Sequence, residues 1–193
     1  MKKIFIALML LCSLSASAQI SIGLRENKFG FISYEKNNWL VKLEHSIYNE
    51  PFADQYVRGY AGYKYDVNEQ FHLSGNLYGG TVYKNYYQDF GANLEASYDL
   101  CNFLSARVDY NPNYDTFYKW EHRYLFELKG NVTDEVAITA DYSTIPENRI
   151  SEKRAHVGVI FHVKNLWVKP ALSIPIDESI HTLKVVTSVQ YTF

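Results

Sequence analysis

Apolar and polar residues alternate along almost the whole chain beyond residue 20, with a period of two positions. In the segment 118–131, one face carries Tyr118, Trp120, Tyr124, Phe126 and Leu128, and the other carries Lys119, Glu121, Arg123, Glu127 and Lys129. This period is typical of β-strands, and no window shows a helical stripe. The pattern predicts twelve strands, over 20–26, 29–36, 39–48, 56–66, 71–83, 89–100, 103–111, 118–131, 135–144, 152–163, 166–177 and 182–193.

The connections between these strands alternate in length. Short ones fall at 37–38, 66–70, 101–102, 131–134 and 164–165, and longer ones read "NEPFADQ", "KNYYQ", "NPNYDTF", "IPENRIS" and "DESIH". An antiparallel meander with tight turns at one end and longer loops at the other has this form, as transmembrane β-barrels do. The first connection, around Asn27 and Lys28, breaks the contrast, so ten strands are an alternative to twelve.

Alternation alone does not say which face is inside, because a soluble β-sandwich or lipocalin-like barrel gives the same pattern. Strand length favours a membrane barrel, since many predicted strands reach the roughly 9–11 residues that a tilted strand needs to cross a bilayer. Aromatic residues also gather at the strand ends, as interfacial belts do. The turn side has Trp39, Phe71, Tyr98, Phe103 and Phe193, and the loop side has Tyr48, Tyr83, Tyr110, Tyr118 and Tyr142.

The last residues, "SVQYTF", place Val189, Tyr191 and Phe193 at alternate positions and end on an aromatic residue. This resembles the closing strand of bacterial outer-membrane β-barrel proteins, although Thr187 and Ser188 stand where a glycine is often found. The resemblance implies an all-β, transmembrane, antiparallel up-and-down barrel. It also implies that the barrel-assembly machinery reads these three residues as an assembly signal, after which the strand pairs with the first strand.

The N-terminal segment "MKKIFIALMLLCSLSASAQ" has two lysines, a short apolar run and small residues ending in Ala16, Ser17 and Ala18. This is the layout of a secretory signal peptide cleaved before Gln19. We therefore expect residues 1–18 to be removed and residues 19–193 to form one barrel in the outer membrane of a Gram-negative bacterium, in contact with outer-membrane lipid.

The candidate chemistry outside the barrel wall is sparse. The net charge of −2 argues against a nucleic-acid partner, and Cys101, alone after cleavage, allows no intrachain disulfide. His72 and Ser74 share a face, as in outer-membrane lipid hydrolases, but the asparagine of that motif is displaced to Asn76. His156 and His162 lie about 20 Å apart along one strand, too far to share a metal. We expect no enzyme activity, cofactor or metal.

The inward face of the predicted barrel is the most informative feature. Its candidate lumen-lining residues are Arg107, Asp109, Lys119, Glu121, Arg123, Glu127, Lys129, Arg154 and His156. Interleaved charges of both signs either close the lumen by ion pairs or line a narrow polar pore. The sequence favours a porin-like or structural barrel, at most a narrow pore for small polar solutes, with a non-enzymatic accessory subunit of a larger outer-membrane complex as the alternative.

Arg123 gives the most specific expectation for the lumen. Its strand carries five charged residues on one face, and a charge that faces lipid near the midplane costs about 2–4 kcal/mol for Arg or Lys. The charged face is therefore expected to point inward, where each charge needs water or a partner. We expect Arg123 to pair with an acidic residue across or beside the lumen, and Glu44, Glu95, Asp109 and Asp141 on other strands are plausible partners.

Overall fold

The computed structural model describes residues 18–46, 56–82, 86–117, 119–144, 153–176 and 183–193. Within them the chain forms one closed sheet of twelve antiparallel strands, each paired with its neighbours in sequence. The strands are β1 Gln19–Arg25, β2 Phe29–Lys36, β3 Trp39–Ser46, β4 Tyr56–Asp66, β5 Phe71–Val82, β6 Gln88–Cys101, β7 Leu104–Asp115, β8 Lys119–Asn131, β9 Val136–Ser143, β10 Arg154–Val163, β11 Leu166–Pro175 and β12 Lys184–Thr192.

The all-β, up-and-down barrel predicted from the sequence is thus confirmed, with twelve strands rather than ten. The uncertain first hairpin is real, because β1 pairs with β2 from Gln19↔Glu35 to Arg25↔Phe29. Strand length is less uniform than expected, since β1 has seven residues and β2, β3 and β9 have eight each. The predicted signal peptide lies outside the described residues, apart from Ala18.

The connections at one end of the barrel, which we call the turn end, have at most four residues each. The opposite end, which we call the loop end, has the longer connections and also two of three residues, β1–β2 and β7–β8. At the turn end, Asn37 and Asn38 have φ angles of 49° and 68°. A two-residue type I′ hairpin turn needs positive φ at both positions, and Asn tolerates it better than most residues. Local turn chemistry therefore fixes the register between β2 and β3, whose pairs run from Phe29↔Ser46 to Lys36↔Trp39.

β7 runs to Asp115, past its predicted end at residue 111. The stretch contains Pro112, which has no N–H to give to a neighbouring strand and normally ends a central strand. The side-chain amide of Asn111 donates instead to the carbonyl oxygen of Ala92 on β6, at 2.8 Å. On its other edge the same stretch pairs with β8, from Asn111↔Arg123 to Asp115↔Lys119. The substitute donor allows the strand to continue through the proline.

The barrel closes between β1 and β12 over the pairs from Ser21↔Thr192 to Leu24↔Val189. Two backbone hydrogen bonds flank this seam, from Phe193 N to Ile20 O and from Asn27 N to Thr187 O, both at 2.9 Å. Closure leaves no free sheet edge there for another chain to extend. Val189, Tyr191 and Phe193, the expected assembly signal, fall on the outward face, and the rings of Tyr191 and Phe193 are 4.9 Å apart.

The distribution of apolar and polar side chains between the outside and the inside of the barrel is the reverse of that in a soluble protein. Large apolar side chains such as Leu77, Val185 and Trp39 lie on the outside with 70%, 69% and 62% of their surface exposed. The buried residues are mostly polar, among them Glu44, Asp89, Asn113 and Arg154. Such an inverted distribution suits a barrel surrounded by lipid. No helix in the described part of the chain is long and apolar enough to span a membrane.

Aromatic side chains pair on the outer surface near both ends. At the turn end Trp39 contacts Tyr63 with 5.1 Å between ring centroids. At the loop end Phe90, Tyr114 and Trp120 form a cluster with centroid distances of 5.0–6.1 Å. The two groups lie where interfacial belts are found in membrane barrels. Tyr48, Tyr83 and Tyr118, which were predicted for the loop-end belt, fall outside the described residues.

Candidate functional site: the charged lumen

The barrel encloses a cavity of about 860 Å³. Its lining extends from Gln19, Trp167 and Gln190 at the turn end to Tyr56 and Tyr87 at the loop end. The seven residues of β1 span about 18 Å of the axis of a barrel with tilted strands, so the mean cross-section of the cavity is about 50 Å². A hydrated ion or a small polar solute fits such a section.

One wall of the cavity is organised around Glu44 on β3. Its carboxylate accepts hydrogen bonds from Arg25 at 3.2 and 3.3 Å, from Lys42 at 2.9 Å and from the hydroxyl of Tyr60 at 2.7 Å. Lys42 also lies 4.1 Å from the centroid of the Tyr60 ring. Two cations and a phenol thus satisfy one buried carboxylate, as a buried charge requires.

The same wall continues with Arg58 on β4 and Asp89 on β6. Arg58 forms an ion pair with Asp89 and hydrogen bonds to Tyr56, and the hydroxyl of Tyr56 donates to Asp89 at 2.7 Å. The guanidinium also stands 4.6 Å from the ring centroid of Tyr78. We call these residues, with those around Glu44, the phenol–cation network: Arg25, Lys42, Glu44, Tyr56, Arg58, Tyr60, Tyr78 and Asp89.

The opposite wall holds a second network centred on Arg107 of β7. Arg107 binds Asp109 through two nitrogens, at 3.0 and 2.9 Å, and lies 3.7 Å from both Glu95 and Glu127. Glu127 on β8 accepts a hydrogen bond from Lys169 at 2.7 Å. Several charges of both signs are therefore linked side by side along the wall.

This second network reaches β9 and β10 through Asp141. Lys169 is 3.6 Å from Asp141, and Nδ1 of His156 is 2.6 Å from the same carboxylate. We call the whole set the carboxylate network: Glu95, Arg107, Asp109, Glu127, Asp141, His156 and Lys169. It joins six neighbouring strands, β6 to β11, so it follows about half of the barrel circumference.

Arg123 is buried and lies on the cavity wall, but its partner is not one of the four plausible carboxylates on other strands. Its guanidinium binds Glu121, two positions earlier on β8, at 2.5 Å. Residues i and i+2 of a strand share a face, so a long side chain reaches its neighbour along the strand without crossing the lumen. Arg123 thus pairs with an acidic residue, as expected, but with one on its own strand. The plausible partners on other strands, Glu44, Glu95, Asp109 and Asp141, belong instead to the two networks.

The other predicted lining residues divide into three groups. Arg107, Asp109, Glu127, Lys129 and His156 line the cavity. Arg154 is fully buried near the loop end, where it donates to the hydroxyl of Ser173 at 2.6 Å. Lys119 is exposed at the first position of β8, where a φ of 65° breaks the extended backbone, and its Nζ lies 5.9 Å from the outward-facing Tyr114 ring.

Lys129 differs from the other cations of the cavity wall. Arg25, Lys42, Arg58, Lys64, Arg107, Arg123 and Lys169 each form an ion pair with a carboxylate. Among the described residues, Lys129 has no hydrogen-bond or ion-pair partner. Its charge is therefore available to water or to a solute in the turn-end half of the lumen.

The aromatic part of the lumen was not anticipated from the sequence. Tyr56, Tyr60 and Tyr78 face inward, and three aromatic side chains lie against glycines of neighbouring strands: Phe31 against Gly23, Tyr56 against Gly80 and Tyr78 against Gly91. A side chain on any of these glycines would collide with the aromatic residue, so the glycines make room for it. The sequence did contain a signal for these inward rings, because Tyr56 and Tyr60 lie two positions on either side of Arg58 and share its strand face.

The candidate hydrolase residues, His72 and Ser74, do not form a catalytic arrangement within the described part of the chain. Nδ1 of His72 lies 2.6 Å from Asp66 and Nε2 lies 3.9 Å from Asp99, at the turn-end rim. The described residues include no hydrogen bond between His72 and Ser74, and no cluster of three or more His, Cys, Asp or Glu side chains suited to a metal. Cys101 is exposed at the end of β6.

No family model matches the chain, and no curated protein matches it either. Solved structures do match. The KdgM porin in complex with disordered oligogalacturonate has a TM-score of 0.68 at 12% identity, over 92% of this chain and 99% of that one. The chain has the fold of bacterial outer-membrane porins. The resemblance seen in its closing strand is confirmed at that level.

Two further solved structures, a porin and a transporter, support this fold. The NanC porin has a TM-score of 0.56 at 10% identity, over 91% of this chain and 98% of that one. The toluene transporter TbuX of Ralstonia pickettii has a TM-score of 0.50 at 8% identity, over 93% and 90%. At these identities the similarity concerns the fold alone.

Proposed function

We propose that this chain is a narrow, water-filled channel of the bacterial outer membrane that passes small polar solutes. The observation that carries the proposal is the cavity of about 860 Å³ inside the closed barrel, whose lining reaches both ends. Its walls carry fixed charges and phenols, which suit hydrated solutes and repel lipid chains. Barrels of about eight strands are filled by side chains, and those of sixteen or more leave wide channels, so twelve strands suit a narrow one.

The arrangement of the lumen charges supports a channel over a solid plug. Both networks run along their own walls: the ion pairs named above join residues of one strand or of strands at most three places apart, and none of them joins the two networks. Ion pairs confined to one side of the barrel stabilise that wall and leave space between the two networks for a solute. The neighbours, which are porins and a transporter, agree with this role.

Export and insertion form part of the same proposal. The chain would be exported with cleavage before Gln19, and the assembly machinery would recognise Val189, Tyr191 and Phe193 on the outer face of β12. Their outward position, with Tyr191 and Phe193 41% and 67% exposed, suits contact with another protein before lipid surrounds the barrel.

Single-channel recording in planar bilayers tests the proposal. The purified barrel should give discrete conductance steps, and Ser33→Trp, which adds a large ring at a position lining the cavity, should lower them severalfold. Ile32→Trp is the matched control, since Ile32 lies on the outer face of the same strand. Folded, inserted barrels without conductance would overturn the channel and leave the structural or accessory role, which co-purification with a large outer-membrane partner would support.

A further inference from the structure

Most carboxylates of the lumen networks lie deeper than their cations. The carboxylates of Glu44, Asp89, Asp109, Asp141 and Glu127 have 1%, 0%, 5%, 5% and 12% of their side-chain surface exposed, and Glu95 has 30%. The cations Arg25, Lys42, Arg58, Arg107 and Lys169 have 32%, 25%, 18%, 35% and 17% exposed. The cation is the more exposed partner in every Lys or Arg pair of the two networks.

Side-chain length explains this separation. An aspartate or glutamate on a barrel strand keeps its charge close to the wall, whereas lysine and arginine carry theirs on a stem of three or four methylenes. Each ion pair therefore becomes a dipole with its positive end towards the axis. Arg123 and Glu121 are the exception, with exposed fractions of 5% and 19%.

A count of formal charges would suggest a different preference. The two networks contain six carboxylates, Glu44, Asp89, Glu95, Asp109, Glu127 and Asp141, and five permanent cations, Arg25, Lys42, Arg58, Arg107 and Lys169. In a narrow lumen, however, the nearest charge acts most strongly on a solute, because the Coulomb energy falls with distance and water screens the farther partner. Three more exposed acidic residues, Glu26, Glu35 and Glu95 at 27%, 33% and 30%, are each paired with a cation that is more exposed still: Arg25 at 32%, Lys64 at 48% and Arg107 at 35%. The cations therefore present the larger charged surface to a solute.

The two networks also face each other. In a ring of twelve strands, β1 to β4 stand opposite β7 to β10, so Arg25 and Lys42 are on one side of the cavity and Arg107 is on the other. Lys129, without a partner among the described residues, adds a cation towards the turn end. A solute that moves along the axis passes between positive groups on both sides.

We propose that the lumen selects small anionic solutes, carboxylates in particular, over cations. The selection rests on the channel function proposed above, and the exposed guanidinium and ammonium groups of Arg25, Lys42, Arg107 and Lys129 provide it. Rings of Arg and Lys give anion pores their preference, and guanidinium groups match carboxylates geometrically. The carboxylates behind the cations hold them in place. They also weaken the attraction for an anion enough for the anion to be released.

The reversal potential under a KCl gradient measures this directly. We expect chloride to permeate more readily than potassium, with a permeability ratio of about 3 or more at low salt, and a smaller ratio when salt screens the lumen. A reversal potential on the potassium side, or at zero, would overturn anion selection while leaving the channel intact. Absence of any current would instead contradict the channel itself, so the two failures are distinguishable.

Two variants assign the effect to the lumen cations. Arg107→Gln removes the most exposed cation of the carboxylate network and should lower the chloride preference by about twofold or more. Lys129→Gln should act in the same direction without breaking an ion pair between described residues, so it keeps the test valid if Arg107→Gln fails to fold. Lys36→Gln, at the outward-facing end of β2, is the matched control and should change nothing. Unchanged selectivity in folded Lys129→Gln and Arg107→Gln barrels would refute the assignment.

Solute flux gives an independent measurement. Glucuronate, glucose and glucosamine share a ring size and differ in charge, so their entry into liposomes that contain the barrel separates charge from size. The expected order of rates is glucuronate, then glucose, then glucosamine. Equal rates, or faster entry of glucosamine, would count against anion selection.

Discussion

At the scale of single residues, lumen glycines make room for aromatic rings. A Cβ on Gly91 would collide with the carbonyl oxygen of Pro112 and with the hydroxyl of Tyr78, which is held by Asn111 and Asn113 at 3.1 and 2.8 Å. Gly59 lies on the outer face of β4, and a Cβ there would meet nothing within 4 Å. Two glycines on nearby strands thus have opposite surroundings.

This contrast gives a stability prediction. Gly91→Ala should destabilise the barrel by about 1–3 kcal/mol, because the backbone on one side of the new methyl group has no room to move. Gly59→Ala should be neutral or slightly stabilising, since alanine costs less conformational entropy than glycine in a strand. Urea unfolding of both variants in lipid vesicles measures the difference. Equal stabilities would mean that Tyr78 does not lie over Gly91.

Contacts between single residues also explain why the end of β7 was not predicted from the sequence. The segment 111–115 contains Asn, Pro and Asp, which are typical of loops, and it was predicted as one. The strand continues because the Asn111 amide replaces the N–H that Pro112 lacks. That substitution depends on the position of Ala92 on another strand, so no local pattern could reveal it.

At the scale of elements, the seam between β1 and β12 has the fewest paired positions described in the barrel. Its register matches Ser21 with Thr192, whose hydroxyl oxygens lie 3.0 Å apart in the lumen. A slip of one residue would turn every side chain of β12 to the other face. Because β1 and β12 are the first and last strands, closure brings together residues 171 positions apart.

A cross-link tests this register. In a Cys101→Ser background, Ser21→Cys with Thr192→Cys should form a disulfide under mild oxidation, seen as a shift in gel mobility that reductant reverses. Ser21→Cys with Lys184→Cys is the control and should stay unlinked, because Lys184 lies eight residues along β12 from Thr192. A disulfide in the control and none in the Ser21 and Thr192 pair would contradict the register.

At the scale of the whole molecule, the orientation of the two faces decides between a membrane barrel and a soluble one. Leu94 and Asn93 are neighbours on β6; Leu94 is 51% exposed on the outer surface, and Asn93 lines the cavity. A cysteine at Leu94 is therefore expected in lipid and one at Asn93 in the aqueous lumen.

Labelling of the reconstituted barrel checks this expectation. Leu94→Cys should react with a membrane-soluble maleimide and resist a charged one, and Asn93→Cys should show the reverse preference. Both variants carry Cys101→Ser to remove the exposed native thiol. Reaction of Leu94→Cys with the charged reagent at the rate of an exposed thiol would contradict a lipid-covered outer face.

The sequence by itself determined the strands, most of the turns and the division of each strand into two faces. These features are local: a period of two needs only neighbouring residues, and the Asn37–Asn38 turn needs only its own backbone. The sequence also indicated which residues belong to the polar face, as for Arg107 and Glu127. Alternate residues of a strand share a face whatever the tertiary arrangement.

Only the tertiary structure decided which charges meet and how deeply each one lies. Arg123 binds Glu121 along its own strand, although carboxylates on other strands were equally plausible from the sequence. Closure set the neighbours of every strand, and the reach of each side chain from the curved wall then placed the carboxylates behind and the cations towards the axis. Pairing and depth depend on distances across the barrel, which a one-dimensional pattern of residues does not contain.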